Sequence, residues 1–330
     1  MATKKTRFSI NRNRAIEDRT NVDVVVDVLV GRAPAELTGE DYEDLSDLSR
    51  PAAERLADRW LDIPHAGRLA LVQDMVSRFE TDIEHHYDRA LVVALSDDED
   101  DVKLVAFGAL TDTSESSFLD YLLSRLPDEP NTNVRAAGAG AFGQFVLQAE
   151  MDKLEETTVD RLRETLLTLA ENDDSETVRL NALESAGYFA ADPDVTESIE
   201  DAWASGRHEA QVSALRAMGR QCNPRWLDLV LAQFSSDEPE IRFEAARAVG
   251  TLGGQRIVPR VIDLTDDDDV EVQMAAIASL GMIGGDAAIG ALRNLEQSES
   301  VAIVDAAGAA LDEALLIDSA ARPPNSLWQQ

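Results

Sequence analysis

The sequence predicts an all-α fold, a solenoid of stacked antiparallel helix pairs, and three observations carry the prediction. A phrase recurs at nearly constant spacing: Ile241-Arg242-Phe243-Glu244-Ala245-Ala246-Arg247-Ala248-Val249-Gly250 returns 31 residues later as Val272-Gln273-Met274-Ala275-Ala276-Ile277-Ala278-Ser279-Leu280-Gly281. Its frame is a β-branched residue, then a basic or amide residue, alanine four positions on and glycine at the end. The same frame fits Val134 to Gly143, Val178 to Gly187 and Ala210 to Gly219, and also Val102 to Thr111 with threonine in the glycine position. A period of this length marks one supersecondary unit per repeat, each burying its apolar face on its neighbours. Composition agrees: 44% hydrophobic but only 5% aromatic residues suit thin helical layers packed through Ala, Leu and Val.

Along the chain, residues 1–20 carry Lys4, Lys5, Arg7, Arg12 and Arg14 among polar residues and read as a mobile basic arm. Residues 21–49 read as an N-terminal cap, with a short helix over Asn21 to Val30 and then Tyr42, Leu45 and Leu48 at helical spacing. The repeat array spans residues 50–312. Pro51 opens its first helix, running towards Trp60, and Pro64 restarts the chain into a second through Met75 to Phe79.

Later first helices are expected at Ile83–Leu95, Ser116–Leu126, Val159–Ala170, Val195–Ala204, Pro224–Phe234, Arg256–Leu264 and Ala287–Leu295. The recurring phrase forms each second helix. Acidic breaks such as Ser96–Asp100 and Thr265–Asp269 suit the helix N-termini that follow them, and they lack the glycine and glutamate spacing of an EF-hand. The terminal glycine suits a left-handed C-cap. The step from Val134 to Val178 is 44 residues and implies an insertion around Gln144 to Thr158, with Phe145-Val146-Leu147 extending the preceding helix. The last, degenerate phrase is Val301 to Leu311. Residues 313–330 read as a disordered tail, whose Leu327 and Trp328 have the character of a short docking peptide.

Formal net charge is −33 with a pI near 4.3, which disfavours nucleic acid and anionic membranes. Lysine occurs only at Lys4, Lys5, Lys103 and Lys153. Such a composition is shared by proteins of salt-rich cytoplasms and by chains with a codon bias toward arginine and aspartate. The single Cys222 excludes an intramolecular disulfide and a multi-cysteine zinc site, and reads as a small buried side chain. Met1 to Arg14 lack the apolar stretch of a signal peptide and no window approaches the length of a membrane span, so a cytoplasmic location is expected.

These residues resemble the HEAT-repeat superfamily, in particular the short-repeat branch first described in phycobilisome lyases. Ile241 to Gly250 and Val272 to Gly281 keep its phrase most closely. The resemblance covers residues 50–312 and implies a right-handed solenoid with no established chemistry. It further implies a ladder in which a carboxylate before each second helix pairs with the basic residue near its start: Asp97 with Lys103, Glu129 with Arg135 and Asp173 with Arg179. Ser236 before Arg242, and Gln273 after Asp267, depart from that pattern. HEAT-fold di-iron hydroxylases would require several His-Glu dipeptides, whereas this chain has only His208-Glu209. Bilin-lyase-like or other tetrapyrrole handling, using Cys222, is the enzymatic alternative.

No catalytic constellation, cofactor site or metal site is legible. His65, His85, His86 and His208 are scattered, and Gly250-Thr251-Leu252-Gly253-Gly254 follows a helix, so its glycines read as turn residues rather than a nucleotide loop. Binding is the better prospect. With the first residue of the phrase at zero, the third, sixth, seventh and tenth positions lie near 200°, 140°, 240° and 180°, away from the apolar seam. They should line the inner, concave surface with Leu180, Glu184, Val212, Arg216, Phe243, Arg247, Met274 and Ile277.

Between Ser205 and Arg260 the local charge reverses: eight arginines face six carboxylates. The expected function is a non-catalytic scaffold or adaptor that docks an acidic or phosphorylated protein segment. Arg216, Arg220 and Arg247 would take the anion, and Phe243, with Leu180, Val212 and Met274, the apolar side chains. Burial of these residues between neighbouring repeats is the competing reading.

Overall fold

The computed structural model describes residues 14–31, 37–81, 85–111 and 113–321, and every regular element in them is helical. The chain divides into two compact units, residues 1–145 with 156–165 and residues 146–155 with 166–330. The basic residues Lys4, Lys5, Arg7 and Arg12 of the expected arm, and Leu327 and Trp328 of the tail, lie outside the described residues.

The first unit opens with α1 (Arg14–Gly31) and α2 (Gly39–Leu45). α1 begins seven residues before the expected short helix. It packs on α3 through Val22, Val25, Val26 and Leu29, while Arg55 and Arg59 reach back to Asp23 and Asp27. In α2 the Thr38 side chain accepts from the Asp41 N–H and Asp41 accepts from the Thr38 N–H, a reciprocal cap. Tyr42, Leu45 and Leu48 are all buried, as their spacing predicts.

Three helix pairs follow in the first unit: α3 (Arg50–Arg59) with α4 (His65–Thr81), α5 (Asp88–Ala94) with α6 (Asp100–Ala109), and α7 (Ser116–Arg125) with α8 (Thr132–Ala141). Pro51 occupies the first turn of α3. α5 starts later than expected, because His85, His86 and Tyr87 precede it in non-helical backbone. Consecutive second helices stack, α4 on α6 and α6 on α8, and the first helices form the other layer. Phe107, Phe118, Tyr121 and Phe145 meet at centroid distances of 5.7 to 6.2 Å, so this unit has an aromatic centre.

After a break at Phe142 the chain of α8 resumes as α9 (Gly143–Glu150), which is the expected extension. α10 (Glu156–Asn172) fills the remainder of the 44-residue step, and the division between the units runs through α9 and α10. In the second unit the second helices are α11 (Glu176–Ala186), α13 (His208–Gln221), α15 (Pro239–Leu252), α17 (Val270–Ile283) and α19 (Val301–Ala321). Their partners are α12 (Pro193–Ala204), α14 (Leu227–Ala232), α16 (Val258–Asp263) and α18 (Gly285–Leu295), and α14 and α16 are flanked on both sides by short 3-10 turns. α19 continues to Ala321, with Ala314 buried, so the helix extends into the expected tail.

The recurring phrase places its β-branched or small first residue and its fifth-position alanine on the buried seam. Val178 and Ala182, Ala210 and Ala214, Ile241 and Ala245, and Val272 and Ala276 are each at most 3% exposed. The terminal glycine corrects the expectation of a left-handed cap. Gly219, Gly250 and Gly281 lie inside helices, and Gly187 caps α11 at φ −54°. A Cβ on Gly187 would meet Ala217 Cα at 2.8 Å, on Gly219 Ala248 Cα at 3.0 Å, on Gly250 Ser279 Oγ at 2.9 Å, and on Gly281 Ala310 O at 2.9 Å. The glycine therefore sets how closely consecutive second helices approach. Left-handed backbone falls instead on Cys222 (φ 51°), which caps α13. Gly253 and Gly254 alone follow α15 as link residues.

The contact between Gly281 and Ala310 also resets the register of the last phrase. Ala310 stands where Ala217, Ala248 and Ser279 stand in earlier repeats, so the phrase begins at Ile303 rather than Val301, and Asp312 falls in the glycine position. Asp312 is exposed. A charged side chain thus stands where earlier repeats have the glycine of closest approach.

Candidate functional site

The loops before the second helices hold a ladder whose wiring differs from the expected one. Arg135 and Arg179 donate to the backbone oxygens of Glu129 (2.9 Å) and Asp173 (2.6 Å), six residues earlier. Arg242 does the same to Ser236 O (2.8 Å), and Gln273 Nε2 to Asp267 O (2.5 Å). Ser236 and Gln273 are therefore regular members, because a backbone carbonyl needs no carboxylate and an amide suffices as donor. Each loop's acidic or hydroxyl side chain instead accepts the backbone N–H two residues on: Asp97 from Glu99, Glu129 from Asn131, Asp173 from Ser175, Ser236 from Glu238 and Asp267 from Asp269.

The carboxylates also receive the basic side chain of the preceding repeat. Lys103 Nζ reaches Glu129 at 3.0 Å as well as Asp100 at 2.9 Å, so the expected Asp97–Lys103 pair is replaced by Lys103–Glu129. Arg242 binds Asp267 through both Nε and NH2 at 2.8 Å. Asp97 is taken by Arg68 through Nε and NH2 (2.7 and 3.0 Å), with Trp60 Nε1 donating at 2.6 Å. Arg68 was not legible in the sequence, because its repeat lacks the phrase. Burial opposes the charge on Asp97, yet donation from Arg68, the Glu99 N–H and Trp60 outweighs it and holds the carboxyl below its ordinary range. Donation from Arg242 lowers Asp267 in the same way.

The candidate binding residues gather, in part, at one cleft of about 430 Å³ on the second helices of the second unit. It is lined by Tyr188, by Leu215, Arg216, Gly219 and Arg220 of α13, by Cys222, by Glu244, Arg247, Ala248 and Thr251 of α15, by Ala275, Ala278, Ser279 and Met282 of α17, and by Leu147. The three arginines share two carboxylates. Arg216 donates to Glu244 at 2.7 Å and to Glu184 at 3.2 Å, Arg220 pairs with Glu184 at 3.3 Å, and Arg247 pairs with Glu244 at 3.3 Å. Glu244 is only 1% exposed. Burial works against the charge of Arg216, but Glu244 and then Glu184 more than compensate, and its pKa is raised. Arg220 lies over the Tyr188 ring at 5.1 Å, and Arg247 over Phe243 at 5.7 Å.

The remaining predicted residues divide. Phe243 and Met274 are half-buried beside this surface, whereas Val212 is 5% exposed and belongs to the core, as does Ile277. Helical angle alone did not show that a neighbouring helix covers position three of α13. Leu180 instead lines a separate cleft of about 530 Å³ with Arg179, Leu183, Arg207 and the acidic Glu171, Asp194, Glu197 and Asp201. Cys222 is exposed, contrary to the expectation of burial, because the left-handed cap turns it out of the helix seam.

The basic window of Ser205 to Arg260 is largely neutralised in three dimensions. Arg207 pairs with Glu176, Arg225 with Glu200 and Arg242 with Asp267, carboxylates 25 to 31 residues away that a window count excludes.

Two histidine arrangements were not legible. His65 Nε2 lies 3.0 Å from both Asp101 oxygens, and its ligand atom lies within 4.8 Å of those of Glu99 and Asp101, all three residues being exposed. His208 stands between Glu238 and Glu240, and the hydrogen bond to Glu240 foremost raises its pKa. Among the described residues no helix is long and apolar enough to cross a membrane.

Comparison with curated protein sequences gives no match. Solved structures that match this chain include YibA of Escherichia coli, 16% identical over 69% of this chain and 92% of its own, with a TM-score of 0.43. Kap95p from its complex with RanGDP is 13% identical over 92% of this chain and 43% of its own, TM-score 0.45. Human deoxyhypusine hydroxylase is 15% identical over 92% of this chain and 99% of its own, TM-score 0.34. The family profile described as HEAT repeats matches residues 205–270 and 227–312. These are the helix pairs in which the phrase is best kept, so the likeness to HEAT repeats holds over residues 205–312.

Proposed function

We propose that the chain is a non-catalytic protein-interaction scaffold that binds a partner segment on the exposed face of its second helices, at the cleft across α13, α15 and α17. The observation that supports this reading is the cleft itself: three arginines and two large apolar side chains, Leu147 and Met282, on a surface that the stacking of repeats leaves open. HEAT repeats bury the faces between neighbours and present the rest, so recognition falls to such exposed helix faces.

Capture from the lysate of the source cell tests it, with the chain and its Arg247→Glu variant as baits. A stoichiometric protein retained by the first and lost from the second supports the reading; equal retention removes it. A second reading, tetrapyrrole handling, is favoured only by the exposed thiol of Cys222 in the same cleft. It requires a pigment to be retained by the chain and released by Cys222→Ser.

A further inference from the structure

Resting on that reading, we infer that the segment this cleft takes is acidic, a carboxylate beside an aliphatic side chain, and that Arg247 and Arg220 read it while Arg216 holds the cleft in shape. Arg216 is spent internally: Nε and NH1 are both engaged, on Glu244 and Glu184, which are themselves buried or nearly so. Arg247 and Arg220 each give a single long contact of 3.3 Å to the same carboxylates, out of five N–H donors per guanidinium. Arg247 is 58% exposed at its side chain. Two donor forks thus face the cleft with most of their valence open among the described residues, which suits bidentate recognition of a carboxylate.

The charge decides between carboxylate and phosphate. Three guanidinium groups and two carboxylates leave an excess of one positive charge in the cleft. A carboxylate balances it. A phosphomonoester brings about −1.5 to −2 and would face Glu184 and Glu244 uncompensated. The lining also includes the apolar Ala275, Ala278, Met282 and Leu147; Leu147 and Met282 are 43% and 39% exposed. Methionine adapts to varied aliphatic partners.

One consequence runs against ordinary salt dependence. The whole chain carries −33, so at low salt an acidic segment is repelled by the molecule that binds it. The screening length is about 30 Å at 0.01 M salt and about 8 Å at 0.15 M. At the higher concentration the distant carboxylates are screened, while the partly buried contacts to Arg247 and Arg220 persist. Affinity for the acidic segment should therefore rise from 0.01 to 0.15 M salt.

The test uses the full chain and three fluorescein-labelled peptides of one leucine- and alanine-containing sequence, with glutamate, glutamine or phosphoserine at the polar positions. Anisotropy gives Kd at the two salt concentrations. Protection of Cys222, the chain's single thiol, from Ellman's reagent reports occupancy of this cleft. The glutamate peptide should protect Cys222, bind more tightly at the higher salt, and lose about tenfold in affinity with Arg247→Gln or Arg220→Gln. Arg225→Gln, outside the cleft, should bind as the parent does. Circular dichroism confirms that each variant keeps its helices.

Glutamine or phosphoserine peptides that protect as well or better overturn the acidic assignment and leave the docking cleft standing. So does glutamate-peptide binding that weakens with salt. If no peptide protects Cys222 at either salt concentration, the assignment and the docking cleft fall together.

Discussion

Replacing Gly281 by alanine should destabilise the second unit although alanine is the better helix former. The new Cβ would lie 2.9 Å from Ala310 O and 3.0 Å from its Cα and Cβ. Two of those atoms are backbone, and α19 can yield only by moving away as a whole. Removing glycine from a helix interior gains about 1 kcal/mol, while overpacking a close contact costs about 1–3 kcal/mol. With rigid atoms on both sides the cost falls in the upper half of that range, for a net loss of about 1–2 kcal/mol. Gly290 is the internal control. It lies in the neighbouring α18, where a Cβ meets nothing within 4 Å, so Gly290→Ala should gain about 0.5–1 kcal/mol. Urea unfolding followed by far-UV circular dichroism would show the two midpoints moving in opposite directions. A Gly281→Ala midpoint that rises with that of Gly290→Ala would refute the assignment of the glycine to close helix approach.

Asp97→Asn should cost about 1–3 kcal/mol, because it removes the forked, buried partner of the Arg68 guanidinium and leaves it only the exposed Asp98 carboxylate. In the parent the Asp97 pKa is lowered by folding, so its contribution is complete above about pH 4 and fades as pH falls through the folded value; acid unfolding of the variant should lack this component. Arg242→Gln keeps a donor for Ser236 O but loses the forked pair with Asp267, and a loss of about 1–3 kcal/mol by urea unfolding is expected. His208 behaves oppositely to Asp97. Its pKa is raised, so its contribution is full below about pH 6.5 and disappears as pH rises through the folded value. NMR titration should place the His208 ring above that reference, and Glu240→Gln should return it towards it.

Periodicity and composition by themselves determined the helical pairs, their order and the buried seam, because a repeated phrase with a fixed apolar spacing can be satisfied only by stacking like on like. Val178, Ala210, Ile241 and Val272 were legible as core for that reason. The sequence also indicated which arginines would gather, since Arg216, Arg220 and Arg247 occupy exposed angles of successive second helices.

What only the tertiary structure decided involves, for the most part, residues about 25 to 36 apart. Lys103 chooses Glu129 over Asp97, Arg242 chooses Asp267, and Glu184 and Glu244 divide three arginines that a linear count would leave as a free positive patch. Val212 is lost to the core, and the terminal glycine becomes a contact point between helices rather than a cap. The physical reason is common to all of these. Helical spacing fixes the direction in which a side chain leaves its own helix, but its burial, and the partner for its charge, are set by the neighbouring repeat and by how closely that repeat approaches.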